Sequence, residues 1–392
     1  MKKYLIVNTG SASKKYALYQ GEDQIIFLHL ETENGGFVMT EKFNGELVKT
    51  VITKGQFDES LDFVMEILIN NHKISSYSEV SAIGVRVVAP GLYFLKHRLI
   101  DDLYMEKLED AKEKAPLHMT PILISIKNLK QVFSNTPIYG ISDSAFHSTL
   151  TDVSRNYGLP KAMAAEHEIY RYGYHGTSVK SIVSKLRKQF GELPEKIIVC
   201  HIGGGVSLTA VRKGESVDTT MGFTPLEGLL MATRVGDIDS GAVLYLAEKT
   251  GMTTTELRRY FNSKCGLLGV SGQSDDVRDL IALEEKGDKD ASLALSLYAY
   301  RIKKNIGSYI AVMNGVDLIV FTATIGERSF IMRGKILADM ENLGIILDKE
   351  INNVTIAEDK EISAKNSPVK VLVLKTDEMS QLAKDTEELI YF

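Results

Sequence analysis

Two arginines and an aspartate stand out because they interrupt apolar or glycine-containing segments. Arg86 lies inside GVRVVAPG, Asp143 follows PIYGIS, and Arg234 lies in MATRVGDIDSG. A charge in an apolar segment needs a partner or solvent, because burying a lone charge is costly. Guanidinium groups bind carboxylate or phosphate through paired hydrogen bonds. These residues therefore predict an anion site, although each could equally serve in a salt-bridged turn or, for Asp143, in a helix cap.

Other polar residues extend this prediction towards phosphoryl transfer. His147 follows Asp143 in DSAFH, His175 lies in RYGYHGTS, and Asp237 and Asp239 follow Arg234. Carboxylates near phosphate-binding loops suit Mg²⁺, which proteins usually hold through one or two carboxylates and the substrate phosphates. Phosphoryl transfer needs chiefly positioning and neutralisation of charge. The combination fits this reaction class better than any single residue does.

A glycine-rich turn between two apolar segments occurs twice, in YLIVNTGSASKKYALYQGE and in KIIVCHIGGGVSLTAVRKGE. Gly10 and Gly203 are 193 positions apart, as are Ala17 and Ala210. A duplicated domain explains this offset, while chance recurrence is the alternative. The residues after each turn alternate in polarity, which predicts strand–turn–strand. Nucleotide motifs that need a helix after the glycines are therefore excluded. Two such hairpins can bind phosphates through N–H groups and hydroxyls, or can be tight turns without a ligand.

The rest of the chain mixes short apolar strands with helical spacing. VSAIGVRVVAP, TPIYGIS and VDLIVFTATIG predict strands, and SLDFVMEILINNH, VKSIVSKLRKQF and DASLALSLYAYRIKKNIGSYIAVMNG predict helices. This pattern predicts an α/β fold with ligand sites at strand ends. The length of 392 residues predicts two domains, with a boundary near 145–155.

Composition excludes several classes of protein. The net charge of −5 offers no basic field for nucleic acid. Cys200 and Cys265 are the only cysteines, which predicts a reducing compartment. The opening apolar run, YLIV, is shorter than a secretory signal requires, and no run is long enough to span a membrane. We therefore expect a cytoplasmic protein that binds neither nucleic acid nor membrane.

In order along the chain, NTGSASKK, GVRVVAPG, APLHMTP, DSAFH, RYGYHGTS, HIGGG, TPLEGLLMATRVGDIDSG, GLLGVSGQSDDVRDL, NGVDLIVFTATIGE and TDEMSQLAKDT resemble the motifs of the acetate kinase family. TPLEGLLMATRVGDID and RYGYHGTS are the most specific of these. The resemblance implies duplicated actin-like, ribonuclease H-like ATPase domains with an interdomain cleft. It places the N-terminal domain at 1–150, joined by a C-terminal helix at 376–392, and the second domain at 151–375.

The resemblance also implies an activity. We expect reversible, Mg²⁺-dependent phosphoryl transfer from ATP to acetate, giving acetyl phosphate and ADP, with Mn²⁺ as an alternative metal. A homodimer is implied as well. The open alternatives are a propionate kinase, a carboxylate kinase that uses another donor such as pyrophosphate, and a catalytically weak regulatory paralogue.

Site residues follow from their places in the shared motifs. Catalytic roles fall on Arg86, Asp143, His175 and Arg234, with the arginines holding the acceptor carboxylate and the transferring phosphoryl group. The acyl pocket beside Arg86 is expected from Val88, Leu117, Tyr174 and Pro225. The metal is expected at Asn8 and Glu378. Nucleotide and phosphate binding is expected at Ser11, Ser13, Lys15, His201, Gly203, Gly204, Gly205, Asp276, Val277, Arg278, Thr324, Ile325, Gly326 and Arg328.

The sequence departs from the family pattern at several of these motifs. The family's HRVVHGG is VRVVAPG here, HNPPN is HMTPI, and the second serine of Ser-Ser-Ser is Ala12. The pocket phenylalanine is Tyr174, which adds a hydroxyl. HLGNG has become HIGGG and GIGEN has become TIGER, so Gly204, Thr324 and Arg328 put the identity of the phosphoryl donor in doubt.

Overall fold

The chain folds into two units, each built around its own sheet. The computed structural model describes residues 2–10, 13–33, 35–43 and 45–391, without the side chains of residues 117 and 118. Unit 1 comprises Met1–Ala145 with Asp377–Phe392, and unit 2 comprises Phe146–Thr376. Within the described residues, none of the helices has the length and apolar character that crossing a membrane requires.

The strands are, in chain order, β1 (Lys3–Thr9), β2 (Ser13–Gln20), β3 (Asp23–Glu33), β4 (Gly36–Phe43), β5 (Glu46–Ile52), β6 (Val80–Val87), β7 (Arg98–Leu99), β8 (Ile138–Ser142), β9 (Lys196–Ile202), β10 (Val206–Arg212), β11 (Glu215–Thr219), β12 (Leu318–Thr322), β13 (Lys360–Glu361) and β14 (Lys370–Val373). Unit 1 holds β1 to β8, and unit 2 holds β9 to β14.

The α-helices are α1 (Lys54–Asp58), α2 (Ser60–Asn70), α3 (Asp102–Lys114), α4 (Pro116–Val132), α5 (Asp152–Arg155), α6 (Lys161–Glu166), α7 (Gly176–Phe190), α8 (Ser240–Thr250), α9 (Thr254–Ser263), α10 (Gly266–Ser271), α11 (Val277–Glu285), α12 (Lys289–Met313), α13 (Ala323–Arg328), α14 (Phe330–Leu337), α15 (Lys349–Val354) and α16 (Glu378–Tyr391). The helix α16 belongs to unit 1, although it follows unit 2 in the sequence.

The two sheets repeat one motif. In unit 1 the strand order is β5-β4-β3-β2-β1-β6-β8-β7, and in unit 2 it is β11-β10-β9-β12-β14-β13. Each contains an antiparallel hairpin, β1–β2 or β9–β10, whose first strand pairs in parallel with the next strand of the motif, β6 or β12. The predicted hairpins and the predicted α/β class are confirmed.

The middle of β1 in unit 1 is buried on both faces of the sheet. Leu5 and Val7 of β1 point into the core that contains α2 and α4. Tyr4 and Ile6, which alternate with them, pack with Leu382 of α16 on the other face. This alternation follows from the two-residue period of a strand. Among the functional residues described below, Asp143 follows β8 and the residues of α13 follow β12, each at the carboxyl end of a parallel strand.

Candidate active site

In unit 1, Arg86 lies between two carboxylates. Its Nε and Nη2 donate to Oδ1 and Oδ2 of Asp143 at 3.1 and 2.9 Å. Its Nη1 lies 3.9 Å from Oε2 of Glu378, the first residue of α16. Asp143 follows β8 and is fully buried, and its amide donates to the carbonyl of Val87 at the end of β6. Parallel pairing of β6 with β8 thus places the arginine beside the aspartate.

This arrangement keeps the arginine charged. Burial by itself lowers the pKa of Arg86, but the Asp143 and Glu378 carboxylates more than offset this, so its pKa is raised. The guanidinium group has five N–H hydrogens, so one that bonds Asp143 through Nε and Nη2 still has hydrogens to offer to an incoming anion. The charge of Arg86, which interrupts an apolar strand, is therefore paired with a carboxylate.

The first hairpin turn positions Asn8, Ser13 and Lys15. Asn8 and Lys15 face each other across the β1–β2 ladder. The hydroxyl of Ser13 lies 2.8 Å from Nε2 of His29 on β3. Burial, followed by the charge of Lys15, lowers the pKa of His29, so its ring is neutral at physiological pH. Ser11 lies outside the described residues.

In unit 2, two histidines stack. The ring centroids of His175 and His201 are 4.0 Å apart. Nδ1 of His175 lies 2.9 Å from the hydroxyl of Ser207, and Nδ1 of His201 lies 2.8 Å from that of Ser178. His175 precedes α7 and has the left-handed φ of 59°, uncommon outside glycine, which orients its ring towards the second hairpin.

Gly205 leaves space where Arg234 and His175 converge. A Cβ at Gly205 would lie 3.2 Å from Nε2 of His175 and 3.8 Å from Nη1 of Arg234. The turn is closed by a hydrogen bond from the Gly203 amide to the Gly205 carbonyl at 3.0 Å. An anion above Gly205 would therefore meet an imidazole and a guanidinium.

A loop held at its base presents Arg234. The Gly228 amide donates to Oδ1 of Asp237, and the Asp237 amide donates to the Gly228 carbonyl, both at 2.8 Å. Nη1 of Arg234 donates to the carbonyl of Pro225 at 3.2 Å. Burial lowers the pKa of Arg234. Among the described residues no carboxylate forms an ion pair with this guanidinium, so its charge is available for a ligand.

Of the residues expected at the acyl pocket, Tyr174 and Pro225 belong to unit 2, and Val88 and Leu117 to unit 1. Tyr174 is 1% exposed, and its hydroxyl donates to the carbonyl of Phe223 at 2.8 Å. Val88 is partly buried and packs against the core of unit 1. The side chain of Leu117 lies outside the described part of the chain.

Besides the two hairpin turns, the residues expected at the nucleotide occur at two further places, both in unit 2. Thr324, Ile325, Gly326 and Arg328 form α13, which follows β12; Thr322 pairs with His201, so α13 begins beside the second hairpin turn. The predicted strand ends at Thr322, because the chain turns into this short helix. At the start of α11, before Val277, Asp276 accepts hydrogen bonds from both the amide and the guanidinium of Arg278, which is 89% exposed.

Sequence reasoning missed the side chains that orient these groups. Ser178 and Ser207 hold the two imidazoles. His147, which the sequence does single out, is fully buried and joins the carbonyl of Tyr174 (3.0 Å) to the hydroxyl of Ser216 (2.9 Å). Ser178 is the last residue of the motif RYGYHGTS, and Ser207 lies two residues after the last glycine of the second turn, so closeness to these motifs was the available signal.

The expected metal residues fit a hard divalent cation. Among the described residues no cluster of three histidine, cysteine or acidic side chains could hold a metal by itself. Asn8 and Glu378 offer amide and carboxylate oxygens, the ligand type that Mg²⁺ prefers, and Mg²⁺ commonly relies on substrate phosphates and water for the remainder. This donor set fits a metal that arrives with a nucleotide.

Comparisons with known proteins cover the entire chain. The model of the acetokinase family matches residues 3–384. An acetate kinase of Clostridium botulinum (strain 657 / Type Ba4) is 42% identical over 396 residues, covering 99% of each chain. The crystal structure of Porphyromonas gingivalis acetate kinase is 34% identical with a TM-score of 0.87 and covers 100% of both chains. That of a propionate kinase from Francisella tularensis subsp. tularensis SCHU S4 is 32% identical with a TM-score of 0.90 and covers 99% of this chain and 100% of the other.

Likeness over the full length to kinases of this architecture makes the protein a phosphotransferase built from duplicated actin-like domains, as the sequence predicts. The acceptor in this class is a carboxyl group. The chain belongs to the acetokinase family.

Proposed function

We propose that the protein is an acetate kinase that reversibly transfers the terminal phosphoryl group of ATP to acetate. The observation that carries this proposal is Arg234, a partly buried guanidinium without a carboxylate partner among the described residues, which converges with Nε2 of His175 over Gly205. Such a cation needs an anion to complete it, and a phosphoryl group carries the matching charge and oxygen geometry.

Each residue of the candidate active site has its own role in phosphoryl transfer. Arg86 binds the carboxylate of acetate, and Arg234 and His175 stabilise the negative charge on the moving phosphoryl group. An acetate oxygen attacks the terminal phosphorus in line, the bond to the bridging oxygen breaks, and ADP leaves. Asp143 holds the Arg86 fork in a fixed orientation through two hydrogen bonds and acts as the catalytic carboxylate. Ser13, Lys15, His201 and the second glycine turn bind phosphates.

Asn8 and Glu378 would hold Mg²⁺, or Mn²⁺ in its place. When bound, the metal supplies charge neutralisation for the donor phosphates. The Glu378 carboxylate lies 3.9 Å from Nη1 of Arg86, so this residue also limits where the guanidinium can move.

A hydroxamate assay tests the proposal directly. Purified protein with acetate, ATP and Mg²⁺ should yield acetyl hydroxamate in the presence of hydroxylamine, and chelation of the metal should abolish the product. An intact, folded protein that forms no acetyl phosphate in either direction would refute the proposal. The departures from the family motifs favour a catalytically weak regulatory protein, but the ion pair of Arg86 with Asp143 opposes that alternative.

Propionate kinase activity is the second candidate, favoured by the likeness to the Francisella propionate kinase. An apolar pocket discriminates against one methylene by only ~1–3 kcal/mol. The ratio of kcat/KM for acetate to that for propionate decides between them, and we expect acetate and propionate to react while butyrate fails.

The protein is further proposed to form a homodimer in the cytoplasm. None of the residues of α8 is buried within the chain, and Leu244 and Tyr245 are 66% and 62% exposed, which supports contact with a second copy. The free thiols of Cys200 and Cys265 support a reducing compartment. Light scattering of the wild type and of Leu244→Glu tests the dimer: a monomeric wild type would refute it.

A further inference from the structure

His97 joins two parts of unit 1 that carry proposed active-site groups. It lies between a 3₁₀ turn (Leu92–Leu95) and β7, and its side chain is 18% exposed. On one side its Nδ1 lies 3.0 Å from the amide nitrogen of Ser142. On the other side its Nε2 lies 3.5 Å from Oδ2 of Asp385 on α16.

The first contact fixes the protonation of the ring. A backbone N–H can only donate, so Nδ1 must accept and carries no hydrogen. The hydrogen of the neutral ring is therefore on Nε2, which faces the carboxylate of Asp385. Asp385 is 1% exposed, and its other oxygen accepts a hydrogen bond from Nε2 of Gln381 at 2.8 Å.

The Ser142 contact lies next to Asp143. Ser142 is the last residue of β8, its hydroxyl donates to the carbonyl of Phe94, and it accepts from the amide of Ser144 at 3.2 Å. Both the backbone and the side chain of Ser142 are thus hydrogen-bonded, which fixes the carboxyl end of β8. The direction in which Asp143 leaves the strand, and with it the orientation of the Arg86 fork, depends on this anchor.

The Asp385 contact acts on the helix that begins with Glu378. Residues seven apart lie on the same face of a helix, so Asp385 and Glu378 share the face that packs on the sheet. At Gly84 of β6, a Cβ would lie 2.0 Å from the hydroxyl oxygen of Thr386, so the helix rests directly on the strand backbone. Close packing of this kind transmits a shift of Asp385 to the start of the helix.

We infer that His97 is a positioning residue that sets Asp143 and Glu378 relative to each other through these two contacts. The inference rests on the proposed function, in which Asp143 serves catalysis and Glu378 serves metal binding. The two ring nitrogens have separate roles. Nδ1 contacts the amide of Ser142 and so affects turnover, whereas Nε2 contacts Asp385 and so affects metal binding.

Two conservative variants of His97 separate the effect of the Ser142 contact from that of the Asp385 contact. In His97→Asn the side-chain oxygen can take the place of Nδ1 and accept from Ser142, but the reach to Asp385 is lost. In His97→Gln the amide nitrogen can take the place of Nε2 and donate to Asp385, but the acceptor for Ser142 is lost. His97→Ala removes both contacts. His167→Asn and His167→Gln, at a histidine with a 57% exposed side chain in unit 2, are the matched controls.

The readouts are kcat in the hydroxamate assay and Mn²⁺ binding with ADP present, followed by electron paramagnetic resonance, with thermal unfolding as the check on folding. We expect His97→Gln to lower kcat about fivefold with unchanged Mn²⁺ affinity, since one hydrogen bond contributes about 1 kcal/mol. We expect His97→Asn to weaken Mn²⁺ binding several-fold while kcat at saturating metal stays near that of the wild type.

Equal losses of both quantities in the two variants, or no loss in either, would overturn the inference. A wild type without kinase activity would instead refute the proposed function, and the Mn²⁺ titrations would still report on the Asp385 contact. If His97→Ala fails to fold, the asparagine and glutamine variants alone decide the question.

Discussion

The imidazole rings of His175 and His201 stack with their planes inclined by 25°. At their centroid distance of 4.0 Å, two imidazolium charges would repel by ~4 kcal/mol at an effective dielectric constant of about 20. The stacked geometry therefore disfavours a positive charge on both rings at once. Each Nδ1 is turned towards a serine hydroxyl, so the orientation of both rings depends on Ser207 and Ser178.

Replacing Ser207 with alanine should impair turnover. Ser207 is fully buried, and its hydroxyl is the partner of His175 Nδ1. Losing one such hydrogen bond, about 1 kcal/mol, should lower kcat about fivefold with little change in the KM for acetate, because the imidazole acts on the transition state. Ser308→Ala, at an exposed hydroxyl on α12 that bonds the Lys304 carbonyl, is the matched control. Unchanged kcat in Ser207→Ala would show that the ring needs no such anchor.

Arg234→Ala should lose activity without losing stability. Removing a preorganised charge donor costs ~10²–10³ in rate. Burial lowers the pKa of Arg234, and no carboxylate among the described residues pairs with it, so its removal relieves an uncompensated charge. Thermal unfolding should occur at an equal or higher temperature than in the wild type. Arg259→Ala, at an exposed position on α9, should change neither quantity. Near-normal turnover in folded Arg234→Ala would remove this arginine from the mechanism.

Arg86→Ala should lose both activity and stability. The substitution removes the fork that bonds both oxygens of the buried Asp143, and breaking a buried ion pair typically costs ~3–5 kcal/mol. The rate should fall by the same ~10²–10³. Arg86→Ala combined with Asp143→Asn should regain stability but not activity, as judged by thermal unfolding and the hydroxamate assay. A double variant that is no more stable than Arg86→Ala would contradict the ion-pair argument.

Sequence patterns predicted much of the fold because each pattern is local. Alternation of polarity around Gly10 and Gly203 predicts both hairpins, and the spacing of VKSIVSKLRKQF predicts the helix α7; both predictions are confirmed. The short helix α13 was not predicted, since its apolar residues continue the pattern of β12. The sequence predicted that the Arg86 charge needs a partner or solvent, but not which residues are its partners. Its partners come from the end of a neighbouring strand and from the distant α16, which no local pattern encodes.

The support behind the candidate site was the least predictable part. Serine and histidine are common in loops. Ser178 has only its place in RYGYHGTS as a signal, and nothing in the sequence distinguishes His97 from a solvent-exposed histidine. Their roles depend on tertiary contacts across the sheet and between helices.

Tyr174→Phe should change stability more than specificity. The hydroxyl was expected to narrow the acyl pocket or to bond its occupant, but its hydrogen is donated to the Phe223 carbonyl at 2.8 Å. Phenylalanine would leave that carbonyl without its donor and should cost about 1 kcal/mol in unfolding free energy. The ratio of kcat/KM for acetate to that for propionate should change less than twofold. A change larger than twofold would show that the Tyr174 hydroxyl takes part in the choice between acetate and propionate.

Asp218→Asn should stabilise the protein at neutral pH. Burial raises the pKa of Asp218, even though Arg171 opposes the shift. A carboxyl whose pKa is raised by folding binds more protons in the native state, so stability falls as pH rises from the unfolded value through the folded one. Asparagine keeps an acceptor for the Thr219 amide without the charge. The variant should unfold at a higher temperature at pH 7 and at the same temperature as the wild type well below about pH 3.9, the ordinary pKa of an aspartate. Equal unfolding temperatures of the variant and the wild type at pH 7 would show that burying the ionised Asp218 carboxylate does not destabilise the protein.

The last prediction concerns the phosphoryl donor and rests on α13. Thr324 and Arg328, which stand where the family has glycine and asparagine, are both exposed. Among the described residues Arg328 forms no ion pair, so its guanidinium is available to a phosphate, whereas a branched threonine reduces the room for a nucleoside. Thr324→Gly with Arg328→Asn should therefore raise kcat/KM for ATP relative to that for GTP or pyrophosphate. Arg259→Asn controls for removal of an exposed arginine elsewhere in unit 2. Strong preference for ATP in the wild type, with no gain in the double variant, would mean that a slightly displaced loop binds ATP as it stands.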